Sequence, residues 1–202
     1  ALDWEGTLAL AMNVASAFDG TTEQDRAFAR IGVALSKFMA NKLCPIVICE
    51  AMEVLGGMGY VEDTALPMLY REAPLNGIWE GSGNVICLDA LRTLAKEPLA
   101  VEALAAELDA ATGQSRRYDS ALTRHRSRWP SIPPEAEARW FVERTALLLT
   151  ASILIRHAPD AIADGFLATR VSGDRGRIAG TVEGLDVGRI LSRLAPAAQG
   201  AL

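Results

Sequence analysis

Apolar positions along the chain recur at intervals of three and four, the pattern of helices that bury one face. In 2–18, Leu2, Leu8, Ala11, Val14 and Phe18 share such a face, and Asp19-Gly20 stops it. Thr21 or Thr22 can cap the next helix, with Asp25 in its first turn. Its stripe of Phe28, Ile31, Leu35, Phe38, Met39, Leu43, Ile46 and Val47 runs for about seven turns. Pro45 lies inside it, so a kink is predicted near Asn41 or Lys42. Gly56-Gly57-Met58-Gly59 closes this helix with left-handed backbone. Residues 63–72 read as a short helix or irregular connection before a turn at Asn76-Gly77. After Gly81-Ser82-Gly83-Asn84, the residues Val85, Ile86, Leu88 and Leu91 form a new buried face, with Ser82 or Asn84 placed to cap it. Pro98 opens a short helix through Leu108 that ends near Gly113, the place where a boundary is expected. Further helices are predicted over 114–129, over 135–157 (opened by Pro134, with Trp140, Phe141, Leu147, Leu148 and Ile155 in its interior), over 160–169 and over 185–194. No strand-like alternation of useful length occurs, so the fold class is all-α, a helix bundle.

Composition narrows the class. Half of the 202 residues are apolar, enough for a sizeable core in one or two domains. The longest apolar run, 146–155, is about half the roughly 18 residues needed to cross a bilayer, and no basic segment with an apolar core opens the chain. The expectation is a soluble, cytoplasmic chain with no membrane segment. Cys44, Cys49 and Cys87 have apolar neighbours and no CxxC spacing, which predicts buried free thiols in a reducing compartment. The only histidines, His125 and His157, have no companion ligands, so no metal site is expected. The SGDRG segment, 172–176, lacks the preceding strand and spacing of a phosphate loop.

Charge divides the chain. Residues 1–113 hold 7 Lys+Arg against 16 Asp+Glu, a balance of −9; residues 114–202 hold 13 against 9, a balance of +4, and every basic residue there is arginine. If 115–129 is helical, Arg117, Arg124 and Arg128 fall within about 40° of one another and form a cationic stripe. Arg116 and Arg126 widen it, and Arg139 and Arg144 extend it from the next helix. Two readings stand: a solvated face that pairs with the acidic half, or a non-specific phosphate-binding surface on double-stranded DNA.

The candidate chemistry lies in 50–96. A helix N-terminus in a glycine-rich loop offers bare N–H groups to an anion. Glu80 stands at that loop between Trp79 and Gly81. It is either a surface carboxylate favoured by the helix dipole or a general base beside a tryptophan that excludes water and raises its proton affinity.

LGGMGY at 55–60, followed by YREAPLNGIWEGSGN at 70–84 and a helix, resembles the C-terminal helical domain of the flavin-dependent acyl-CoA dehydrogenases. EAMEVLGG, IWEGSGN and CLDALR are most similar to its AidB-like, alkylation-response branch. The resemblance implies two parts, 1–96 as the dehydrogenase bundle and 97–202 as an AidB-like helical extension. It implies FAD as cofactor, an acyl-CoA substrate, an electron acceptor, and a homo-oligomer such as a homotetramer. The glutamate of a (Y/W)EG(T/S) turn is the base in many members, and Glu80 in WEGS matches it; other members place the base on a helix that would lie before residue 1.

The family's QxxGG turn meets the ADP part of flavin from a neighbouring subunit, and Gly56 and Gly57 match it. Glu53 departs from the family's glutamine, exchanging an amide for a charge beside phosphates. Where the family carries Thr-Ser-Gln against flavin, this chain has Ser82, Gly83 and Asn84, which the resemblance makes cofactor contacts and the residues alone make a helix cap. The family's N-terminal helical domain, β-domain and first C-terminal-domain helix have no counterpart here, so the chain is expected to be one piece of a longer protein, inactive and without FAD on its own. The AidB-like extension is implicated in binding double-stranded DNA. Three functions follow: a flavoenzyme part, a DNA-associated stress module, or a bundle that serves oligomerisation only.

Overall fold

The computed structural model describes residues 1–194; residues 195–202 of the expected extension lie outside them. The regular elements among the described residues are all helical, with no strand: α1 (Leu2–Asp19), α2 (Glu23–Val54), α3 (Leu66–Asn76), α4 (Gly83–Lys96), α5 (Pro98–Asp109), α6 (Arg116–Arg128), α7 (Ala138–His157), α8 (Asp160–Phe166) and α9 (Val187–Ser192).

Local chemistry sets most of the ends. Thr22 caps α2 reciprocally with Asp25: the Thr22 hydroxyl accepts from the Asp25 N–H at 3.0 Å, and an Asp25 carboxylate oxygen accepts from the Thr22 N–H at 3.0 Å. Pro98 occupies the first turn of α5, where its missing N–H costs nothing. Ser115 caps α6 and Asp186 caps α9. Pro134 precedes a single 3₁₀ turn, Glu135–Glu137, before α7 proper. The helix predicted over 160–169 is shorter, because α8 gives way to a π-helical segment, Leu167–Val171, whose Val171 carbonyl accepts from Arg144. α2 is one continuous helix from Glu23 to Val54 with Pro45 inside it, beyond the Asn41 and Lys42 positions where its ring was expected to act.

The centre of the molecule is α7. Every residue from Thr145 to Leu154 is buried, and α1, α2, α4, α5, α6 and α8 all pack on it. A helix apolar on all sides belongs at the middle of a bundle. Its polar residues are satisfied: Thr150 donates to Ala146 O at 2.8 Å and Ser152 to Glu107 O at 2.6 Å. Trp140, expected in the interior, lies on the outer side of this helix and is half exposed. The hydrophobic core is one cluster drawing on α1 to α9 except α3. α2 is also long and apolar enough, by length and composition, to cross a bilayer, which the short apolar runs of the sequence had not suggested. In the bundle that length is taken up by contacts with α1, α3, α4, α5 and α7.

The charge division has a structural counterpart. Acids of the first part pair with arginines of the second: Asp3 with Arg170 through two bonds of 2.7 and 2.8 Å, Glu5 with Arg193 at 2.9 Å, Glu107 with Arg156 at 2.6 Å and Asp109 with Arg126 at 2.9 Å. Burial pushes the Asp3 carboxyl up, but the bonds and charge of Arg170 outweigh it and hold the group below the ordinary carboxylate value.

Candidate functional site

The candidate site is built on α2. Its last turn closes at Leu55, and Gly56 takes φ +58°, the left-handed backbone predicted there. The chain then makes a 3₁₀ turn, Gly56–Gly59. Gly56 and Gly57 are exposed, and a Cβ added to either would meet nothing within 4 Å, so their backbone is open to approach from outside. Gly59 was not singled out from the sequence, yet it is the constrained one: a Cβ there would fall 2.1 Å from the Met52 carbonyl oxygen, against its backbone.

The second turn is held by polar residues of α2 that interrupt its apolar stripe. Lys37 Nζ donates to the carbonyls of Trp79 at 2.8 Å and Glu80 at 2.7 Å. Asn41 donates to Asn76 O at 2.5 Å. A Cβ added at Gly83 would lie 3.0 Å from Lys42 Cε, so Gly83 is where α4 begins hard against the Lys42 side chain. Lys37 and Asn41 are spaced i, i+4 on one face, the signal that could have found them.

Glu80 has φ +50° and is the only described non-glycine residue with positive φ. Such backbone costs on the order of 1–3 kcal/mol and persists where the surroundings over-determine it, as the Lys37 clamp does here. The carboxylate is exposed, and Trp79 is 57% exposed. Among the described residues, therefore, the expected exclusion of water by Trp79 is not supplied, because the indole is left more than half exposed.

Ser82 occupies the N-cap position of α4, but neither expected cap forms. The Ser82 side chain makes no cap bond, and Asn84 Oδ1 accepts from Arg139 Nη1 at 3.0 Å. The N–H groups of the first turn of α4 thus stay without a side-chain acceptor. These features fit an edge of FAD: open glycine backbone at Gly56 and Gly57, and uncapped N–H donors from Ser82 to Asn84. The two turns lie roughly 20 Å apart along α2, from the station of Lys42 to Val54 at 1.5 Å per residue. They do not converge on one small group.

The arginines set out in the sequence do not form one free stripe. Arg126 pairs with Asp109, Arg128 with Glu137 at 3.1 Å while its guanidinium stacks over Trp140 at 3.9 Å, and Arg117 reaches Asp174 at 3.9 Å. Arg139 turns to Asn84 and the Phe38 ring, and half-buried Arg144 bonds the Val171 carbonyl, so neither extends the stripe. Arg116 and Arg124 remain exposed. All three cysteines are free, but only Cys87 is fully buried, and desolvation pushes its thiol up to about 11; Cys44 and Cys49 are half-buried on the part of α2 that the core does not cover. Among the described residues no cluster of metal-ligating side chains occurs.

Residues 1–95 match the family model for the acyl-CoA dehydrogenase C-terminal domain. This part of the chain is an acyl-CoA dehydrogenase C-terminal domain. It is 37% identical to AidB of Escherichia coli (strain K12) over 167 residues, 82% of this chain and 31% of that protein. It is 34% identical to acyl-CoA dehydrogenase family member 11 of Caenorhabditis elegans over 93 residues, 46% of this chain and 15% of that protein. The chain thus spans less than a third of the length of these relatives. The crystal structure of Caenorhabditis elegans ACDH-11 in complex with C11-CoA superposes with a TM-score of 0.72 over 95% of this chain and 37% of that one, at 20% identity, a likeness of fold.

Proposed function

We propose that this chain is the C-terminal part of an FAD-dependent acyl-CoA dehydrogenase, with Glu80 as the base that removes the α-proton of an acyl-CoA thioester. The observation that carries it is the left-handed Glu80 backbone in WEGS, held by Lys37 at the start of a helix with uncapped N–H donors. A clamped backbone narrows the region its carboxylate can reach, which lowers the cost of positioning it against a carbon acid. Glu80 takes the α-proton, the electron pair left behind becomes the Cα=Cβ double bond, and the β-carbon gives up hydride. FAD, when bound, supplies the hydride acceptor, and an external electron acceptor reoxidises it. Ser82, Gly83 and Asn84 would hold one edge of the cofactor, and Gly56 and Gly57 would meet its phosphates from a neighbouring copy, a division supported by the roughly 20 Å between the turns along α2. The same copy covers the exposed apolar residues around the turns, including Val54, Tyr60, Ile78 and Trp79.

In the complete protein, Glu80→Gln should retain FAD and lower acyl-CoA oxidation by at least about a hundredfold, the scale of a positioned base. Unchanged turnover would move the base elsewhere and leave Glu80 a dipole partner. Binding of duplex DNA is the lesser proposal. It rests on exposed Arg116 and Arg124, since Arg117, Arg126 and Arg128 are engaged with acids.

A further inference from the structure

The turn at 79–84 is held from two sides. Lys37 on α2 donates to the carbonyls of Trp79 and Glu80, and Arg139 on α7 donates to the Asn84 side chain at 3.0 Å. α7 lies outside residues 1–95, the part that matches the family domain, so this second hold comes from beyond that domain. Arg139 is the second residue of α7, where the positive end of the helix disfavours a cation. Its partners are the Asn84 oxygen and the ring of Phe38, which is buried on α2 and lies 5.7 Å from the guanidinium. They belong to α4 and α2, not to its own helix.

A guanidinium carries donors and no acceptor, so the Asn84 atom that faces it is the carbonyl oxygen. The opposite orientation of the amide would set N–H against N–H. Asn84 is exposed, and among the described residues its Nδ2 donates to no protein acceptor. Without Arg139, such a side chain would divide among three χ1 wells and two faces of the amide, about six arrangements. A ligand that needs one of them binds more weakly in proportion to the fraction of molecules that hold it.

We propose that Arg139 is a positioning residue for the cofactor turn: by holding Asn84 Oδ1 it leaves the two Nδ2 hydrogens as the group offered to acceptor oxygens of FAD. This rests on the reading of Ser82, Gly83 and Asn84 as a cofactor edge. Together with the uncapped N–H groups at the start of α4, it makes that edge one of donors.

The test is a titration of the complete protein, stripped of its flavin, with FAD, read by flavin fluorescence. Asn84→Ala should weaken FAD binding about tenfold, the scale of a lost hydrogen bond. Arg139→Met keeps an apolar stem near Phe38 but has no donor, and should weaken binding about three- to sixfold, by the count of arrangements above. In the Asn84→Ala background the same Arg139 change should have no further effect. Asn84→Asp keeps an oxygen for Arg139 and loses the Nδ2 donors, so it should weaken FAD binding at least about tenfold without lowering the urea midpoint of the flavin-free protein. Arg139→Met should leave that midpoint at the parent value, which a packing role would not. If Asn84→Ala weakens binding and Arg139→Met does not, this inference fails and the cofactor edge stands. Arg139→Met acting equally in both backgrounds, or Asn84→Asp binding FAD as the parent does, would also overturn it. A parent that binds no FAD, or an Asn84→Ala protein that binds it unchanged, would overturn the cofactor edge and this inference with it.

Discussion

The two ends of α2 are built differently. Between Phe28 and Met39 eight of its residues are buried in the bundle; between Ala40 and Val54 none is. The N-terminal stretch meets α7, whose residues from Thr145 to Leu154 are all buried, whereas the C-terminal stretch leads to Val54 at 85% exposure and Tyr60 at 79%. One region is completed by its own contacts. The other is flanked by exposed apolar side chains, and the Glu80 turn, with its left-handed backbone and uncapped helix donors, stands where the two stretches meet, held by Lys37. The same helix therefore anchors a core with one stretch and leaves the other open.

The largest effect expected in the isolated chain comes from cutting into the closed region. Leu148, fully buried on α7, should lose about 2–5 kcal/mol of stability as Leu148→Ala in a urea melt, while Val54→Ala should stay within about 0.5 kcal/mol. A comparable cost at both positions would erase the contrast between the ends.

Next comes pH. Burial, with Arg144 and Arg126 nearby, pushes His125 down to about 4 from its ordinary 6.5. The unfolded chain then binds a proton on this residue that the folded chain does not, so stability falls as pH drops from 6.5 to 4, by about 3 kcal/mol. Asp3, held below its ordinary value, adds a loss in the same sense only as pH falls through the carboxylate range. Urea melts across this window should show that loss, and His125→Phe should flatten the profile above pH 4. A parent profile flat between 6.5 and 4 would mean that His125 is not held neutral by the core.

The smallest expected effect lies at the open end. Glu80→Gly relieves the left-handed strain at the cost of a more flexible unfolded chain, and should stabilise the isolated chain by about 0.5–1 kcal/mol. A destabilisation in the same urea assay would show that the Glu80 backbone is not strained and would remove the observation on which its role rests.

Periodicity made the all-α fold legible, and the ends written by Thr22, Gly56 and Pro98 could be read because one residue decides each. The cap at Ser82 could not be read, since whether a hydroxyl turns to its own helix depends on what surrounds it, and the turn is held instead from α2. Lys37, Asn41 and Lys42 were hidden inside a helix read for its apolar stripe, and their partners lie 35 to 43 positions away in sequence. The arginine stripe was legible as helical geometry, but its ion pairs were not, because Asp109, Glu137 and Asp174 reach it from other segments. His125 could be read only as a lone histidine, because its burial against Trp129 and Phe141 is a product of the fold.

The central claim, that the clamped turn makes Glu80 a base, is tested most directly apart from hydride transfer. The measurement is exchange of the α-hydrogen with deuterated solvent, in the complete protein, on an acyl-CoA analogue that can lose its α-proton but has no β-hydrogen to give up. The parent should exchange it, and Glu80→Gln should slow the exchange by at least about a hundredfold. Exchange at the parent rate in Glu80→Gln would contradict the account.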